Sequence, residues 1–498
     1  MNTAQPHTGR TPQSHVWWAL GVLLGLRLLS LACYPLTDNT EARYAEIGRV
    51  MWSQGDWVTP WFDAGVPFWG KPPLSFWTTA VSFGLFGVNE FAARLPHFLT
   101  GLLVGWLTWA WGSQWSKQAA MTTVALLAGS SLMLLASGAV MTDMVLLLGC
   151  TLVMRGFWLG LHGDPDQQTR EGWLFFIGLA IGLLAKGPLI LVLAGLPIGL
   201  WTLWHGQWMR VWRALPWLRG LAMMTLLVLP WYVLAEMRTP GFLDYFLVGE
   251  HWHRFVTPGW AGDRYGGAHQ AARGTIWLYA WVALLPWSLV LPVAAWYWRK
   301  ARLPRPATPT EASLRWYLAI WALAPALFFT MAGNILWTYV LPALPAVALL
   351  LGRYLSALPD PRSVNRLLAG GLWLMSVLLV GLVVGLNLRQ AQDWHTNKHL
   401  VAHYDASAKT HPPAALIFYP VRPYSAAFYS QGRALHFRTP EVLMQRLSEG
   451  PAYLAIKTAD LSQLPAMPQV RMQLQAELGE FSLFLSAPEP AANTPGKP

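Results

Sequence analysis

The sequence predicts a mainly α, polytopic membrane protein of about 11–13 transmembrane helices, followed by a small α/β domain outside the bilayer. Three observations predict this class. Hydrophobic residues make up 54% of the 498-residue chain and charged residues only 12%. Apolar runs of bilayer-spanning length recur up to residue 388, and beyond it the pattern changes to short alternating strands.

Apolar runs of this length cross a bilayer as helices because lipid offers no partner to an unpaired backbone group. The runs are 16–34, 96–112, 119–137, 140–161, 173–185, 188–204, 217–235, 275–298, 313–331, 336–355 and 367–388. The first has no small-residue cleavage site and is read as a retained span. The run 72–87 is short and follows two prolines, which suits an interfacial or re-entrant helix. Strands such as 415–419 and 453–456 flank a helical stretch at 440–448. The expected division is a membrane domain at 1–390, an α/β domain at 391–486, and a Pro- and Ala-rich disordered tail at 487–498.

Charge fixes the orientation. With the N-terminus cytoplasmic, alternate connections carry Lys117, Arg170, Arg210, Arg213, Arg219, Arg299, Lys300, Arg302, Arg305, Arg353, Arg362 and Arg366, as the positive-inside rule requires. The net charge of +11 is therefore spread over short loops, and a nucleic-acid partner is not expected. Two cysteines, Cys33 and Cys150, exclude a disulfide framework and a cysteine metal site. The 31 tryptophans suit membrane interfaces and carbohydrate stacking equally.

The opposite connections, 36–95 and 237–274, are long, and the turns around Asp143, Lys186 and Asn334 fall on the same outer side. Candidate chemistry gathers there. Asp38 and Glu41 could bind a cation, orient an acceptor or act as a base, or else cap and stabilise the helix that follows. Lys71, held before Pro72-Pro73, could grip a phosphate or snorkel to headgroups, and Lys186 before Gly187-Pro188 offers the same two readings. Asp143 opens a span, where an acid needs a partner or water. Arg94 reads as a headgroup anchor. Glu250, His251 and Arg254 could form a metal or phosphate site, or Glu250 and Arg254 a plain i,i+4 ion pair.

In order and spacing, Thr40-Glu41-Ala42-Arg43-Tyr44-Ala45-Glu46-Ile47, Lys71-Pro72-Pro73-Leu74, Phe91-Ala92-Ala93-Arg94-Leu95-Pro96, Leu184-Ala185-Lys186-Gly187-Pro188 and Glu250-His251-Trp252-His253-Arg254-Phe255 resemble the bacterial ArnT-like branch of the protein mannosyltransferase superfamily. The resemblance implies a GT-C fold in a bacterial inner membrane and an active site facing the periplasm. It implies an undecaprenyl-phosphate sugar donor and an envelope acceptor, a lipid A phosphate above all. The implied roles are catalytic for Asp38, Glu41 and Asp143, and donor- or acceptor-phosphate binding for Arg43, Lys71, Lys186 and Arg254. Glu250 and His251 would hold a divalent metal, the one cofactor in view. The chain departs from the family pattern at Thr40, where an Asp is common, at Gly70, often Glu, and at Asn334-Ile335-Leu336-Trp337, usually a basic stretch. Those positions bear on substrate choice. A polyprenyl-sugar flippase or a protein O-glycosyltransferase would share many of these features.

Overall fold

The computed structural model describes residues 12–266, 269–298, 306, 308–390, 395–408, 414–464 and 470–488. All eleven apolar runs lie on helices, but not all are single rods. Run 119–137 divides into Lys117–Ala128 and Ser131–Ala136, broken at Gly129-Ser130. Run 275–298 divides into Thr275–Ala283 and Trp287–Trp298, bent by 81° at a break that contains Pro286, a residue that cannot donate to a helical ladder. Run 336–355 begins as a 3₁₀ turn, Trp337–Ala343, before the α-helix Leu344–Ser356. Among the described residues five helices are individually long and apolar enough to cross a membrane, and the bent pair makes six.

The Asp143–His162 helix is the axis of the bundle, with 94% of its apolar window buried, whereas Trp217–Arg238 at the periphery has 22% buried. Small residues let the axis close on its neighbour Pro165–Lys186. A Cβ on Gly149 would lie 2.9 Å from the Gly178 carbonyl oxygen, and one on Gly156 would lie 2.7 Å from that of Glu171. Where this packing would bury charge, the charge is paired: Arg155 Nη2 meets Glu171 Oε1 at 2.7 Å.

The first long loop folds as the helix Thr40–Gln54, a hairpin of β1 (Trp61–Asp63) and β2 (Val66–Pro67), and the 13-residue helix Leu74–Phe86. The second long loop contains a π-helix, Tyr245–His253. The C-terminal domain is a sheet of five strands, β3 (Ala415–Tyr419), β4 (Leu435–His436), β5 (Ala452–Lys457), β6 (Val470–Leu478) and β7 (Phe481–Pro488). Their order is β4-β3-β5-β7-β6, with β3 parallel to both neighbours and β7 antiparallel to both of its own. Strand β7 takes in Ala487 and Pro488, so the expected tail begins two residues too early; residues 489–498 lie outside the described residues.

This domain is tied directly to the membrane part. Lys398 Nζ meets Glu90 at 2.7 Å, Arg422 meets Asp63 at 3.0 Å, and the Tyr429 hydroxyl accepts from the Leu36 N–H at 2.7 Å while donating to Glu90 at 3.0 Å.

Candidate active site

Two prolines after Lys71 fix the chain's direction and leave the lysine at the mouth of the bundle, where its Nζ lies 3.0 Å from Glu250 Oε2. Glu250 stands on the π-helix, whose wider turn keeps residues four apart on one face, and Arg254 Nη1 donates to both of its carboxylate oxygens at 3.0 Å. Burial opposes ionisation of Glu250, but Lys71 and Arg254 hold its carboxyl below the usual range. It is therefore a carboxylate at neutral pH, bridging two cations.

A third cation comes from the end of the Pro165–Lys186 helix. Gly187 turns the chain there at φ +69°, and a Cβ on it would sit 2.5 Å from the Phe246 ring. The turn leaves Lys186 buried with its Nζ 2.7 Å from Asp143 Oδ1 and 5.0 Å from the centre of the Tyr339 ring. Lys71, Lys186, Glu250, His251, Arg254, Asn334 and Tyr339 line one cavity of about 170 Å³, and its remaining wall is apolar, with Leu189, Val192, Phe328 and Phe329. Cations held by carboxylates in a half-apolar pocket can exchange a partner for an incoming phosphate without first being charged or ordered.

The other expected site residues are engaged elsewhere. Asp38 accepts hydrogen bonds from the Ser425 N–H at 2.9 Å and from the Ser425 hydroxyl, so it clamps the C-terminal domain and does not face the cavity. Glu41 is bound at both oxygens by Arg94, each at 2.8 Å. The remaining donors of Arg94 go to the carbonyls of Leu31, Tyr34 and Pro35, and its side chain is 0% exposed. Arg94 is thus the pin of the first loop and not a headgroup anchor. Arg43 donates to the Tyr265 carbonyl and lies 5.8 Å from the rings of Phe68 and Tyr424, beside the cavity but outside its lining.

A divalent metal does not fit Glu250 and His251. Both Glu250 oxygens face cations, and the two ring nitrogens of His251 lie 2.6 Å from the Phe246 carbonyl and 3.1 Å from that of Lys186, leaving no lone pair directed into the cavity. Among the described residues no group of three or more His, Cys, Asp or Glu is placed to hold a metal.

Comparison with known proteins bears on this arrangement. Residues 34–246, from the first outer loop to the π-helix, match the family model described as dolichyl-phosphate-mannose-protein mannosyltransferase. Over 415 residues, covering 80% of this chain and 69% of the relative, the chain is 30% identical to undecaprenyl phosphate-alpha-4-amino-4-deoxy-L-arabinose arabinosyl transferase 1 of Pseudomonas fluorescens (strain Pf0-1). The chain belongs to the ArnT-like family of membrane glycosyltransferases.

A second ArnT-like relative, the corresponding transferase of Erwinia tasmaniensis, is 32% identical over 66% of this chain but only 57% of its own length, less than two thirds. The fold agrees as well. The crystal structure of ArnT from Cupriavidus metallidurans bound to undecaprenyl phosphate superposes with a TM-score of 0.79 at 20% identity, covering 94% of this chain and 97% of that one. The protein is accordingly a multi-pass membrane glycosyltransferase of GT-C type.

Within this ArnT-like frame, Tyr339 is a site residue that sequence reasoning left without a role, and Asn334 one that it tied only to substrate choice. Asn334 Nδ2 donates to the carbonyls of Arg254 at 2.6 Å and Thr257 at 2.9 Å, and its Oδ1 accepts from the Gly259 N–H at 3.1 Å. It braces the segment that carries Arg254. The available signal was an amide isolated between two apolar runs.

Proposed function

We propose that the chain transfers a sugar from an undecaprenyl-phosphate donor to an anionic acceptor, a lipid A phosphate or another phosphorylated envelope glycan, at the periplasmic face of the bacterial inner membrane. The observation that carries this reading is the single cavity in which Lys71, Lys186 and Arg254 cap an apolar wall between the helices Leu189–His205 and Pro309–Phe329. A polyprenyl phosphate has that same division into charged head and apolar chain. The names of the relatives, which include undecaprenyl phosphate, support the same donor.

In the step proposed, an acceptor oxygen attacks the anomeric carbon as the bond from that carbon to the phosphate oxygen breaks. The bonding pair leaves on the polyprenyl phosphate, and Lys71 and Arg254 stabilise the charge that develops there. A single displacement inverts the anomeric centre. The neighbouring acids support an acceptor that is already ionised: Asp143 is paired with Lys186, Glu250 with Lys71 and Arg254, Glu41 with Arg94, and Asp38 with Ser425. None of these four carboxylates stands ready as a general base, and an anionic phosphate needs none.

The test is transfer from purified undecaprenyl-phosphate sugar to lipid A by the chain in detergent, where transport across a bilayer has no meaning. Formation of glycosylated lipid A with release of undecaprenyl phosphate is expected. Failure to consume the donor with any phosphorylated envelope acceptor would remove the proposal.

A further inference from the structure

A large cleft of about 890 Å³ lies apart from the reaction cavity, between the β1–β2 hairpin and the C-terminal sheet. We infer that it is a carbohydrate-binding site for a saccharide bearing an anionic substituent. Only the further assignment of that saccharide to the acceptor rests on the function proposed above.

The chemistry of the walls carries the inference. Arg49 is held by Glu46 through two contacts of 2.7 Å, and Arg422 by Asp63 at 3.0 Å and by the Ala434 carbonyl at 2.7 Å. These forks present fixed donors beside fixed acceptors, the pattern that vicinal sugar hydroxyls require. Aromatic surface is interleaved with them at Trp61, Phe62 and Tyr424, and such rings can cover the apolar face of a pyranose. The arginines Arg49, Arg422 and Arg438 are balanced by Glu46, Asp56 and Asp63, so a polyanion such as a nucleic acid is disfavoured. One cation is left over in geometry though not in number. Asp56 is consumed by Val58, Thr59, Trp61 and Arg238, whereas Arg438 is exposed and makes no hydrogen bond or ion pair among the described residues. A phosphate or carboxylate on the saccharide would meet Arg438.

The cleft is near enough to the reaction cavity to serve it. Phe62 lines the cleft and lies 4.9 Å from Tyr265, which lies 5.7 Å from Tyr245, whose hydroxyl is 3.5 Å from Glu250. A wall of aromatic rings therefore separates the two spaces. One glycan can serve both spaces only by passing over that wall, which is the part that rests on the function proposed above.

The experiment uses the full chain in detergent and a defined probe, the fatty-acid-free glucosamine disaccharide bisphosphate, with binding followed by calorimetry. Arg438→Ala removes an exposed side chain, and Ala64→Trp fills the cleft from the exposed tip of the hairpin. Each should weaken the probe by about tenfold or more while leaving undecaprenyl phosphate binding unchanged. Equal binding by the wild type and both variants, or no binding by the wild type, would overturn the inference. So would loss of the probe on Lys71→Ala but not on Arg438→Ala, which would put the saccharide in the reaction cavity. Sugar transfer is measured in parallel: its absence with the cleft pattern intact would defeat the proposed function and leave the saccharide site standing.

Discussion

Lys71 and Arg254 share one carboxylate, and this sets what their removal should do. Lys71→Ala leaves Glu250 with one cation, and Arg254→Ala does the same from the other side. In the transfer step proposed above both cations face the charge that develops on the leaving phosphate, so kcat should fall by about 10²–10³-fold for either variant in a detergent transfer assay. Retention of near-wild-type kcat with only a raised KM would assign them to ground-state binding instead. Asp38 should behave in the opposite way. Asp38→Asn keeps an acceptor for the Ser425 N–H and should retain turnover, whereas a catalytic base would lose nearly all of it. Burial raises the Asp38 pKa above the ordinary carboxylate value against the bonds from Ser425. An acid whose folded pKa is raised binds more protons folded than unfolded, so stability falls as pH rises from the unfolded value through the folded one. Thermal unfolding should show that loss in the wild type between acid and neutral pH, and a smaller one in Asp38→Asn. That these acids are already engaged could not be read from the sequence, for a physical reason. The partners of Asp38 and Glu41 are 387 and 53 residues away in sequence, and a local motif cannot show that a carboxylate is already occupied. That Lys71, Lys186 and Arg254 share one cavity could be anticipated from their common side of the bundle, but the sequence left phosphate binding, snorkelling and local ion pairing equally open for them.

At the scale of elements, the contact between Asp143–His162 and Pro165–Lys186 carries the site, since Asp143 begins one helix and Lys186 ends the other. Gly149→Leu would drive a side chain into the Gly178 carbonyl and the Gly182 backbone, both 2.9 Å from its Cβ. It should separate the helices and lose folded protein in a fluorescence-detected size-exclusion assay, with activity per folded molecule falling as well. Breaking the pin of the first loop is a second test. Arg94→Ala leaves Glu41 and three carbonyls without their donor, and removing one member of a buried pair costs about 3–5 kcal/mol. Yield and melting temperature should fall, and Arg94→Lys should restore little, because one ammonium cannot reproduce five directed donors. The helices themselves were readable from apolar run length. Their breaks were less so: Pro286 announces the 81° bend, but the 3₁₀ start at Trp337–Ala343 and the π-helix at Tyr245–His253 depend on packing that no run length encodes.

Across the whole molecule, the outer loops, the ends of the bundle and the C-terminal sheet form one assembly around two spaces, one small with an apolar wall and one large and polar. The alternation of basic and acidic connections already brought Lys71, Asp143, Lys186 and Arg254 to one side, because topology follows from charge in short loops. The cleft above them was invisible, since its walls meet only when β4 and the β1–β2 hairpin come together through Asp63, 3.0 Å from Arg422 and 3.4 Å from His436. Docking of a polyprenyl phosphate head among Lys71, Lys186 and Arg254 is tested most directly by equilibrium binding of undecaprenyl phosphate to the purified chain at fixed ionic strength. Alanine at each of the three positions should weaken binding by about tenfold or more, with Asp38→Asn unchanged. Wild-type affinity in all three alanine variants would contradict it.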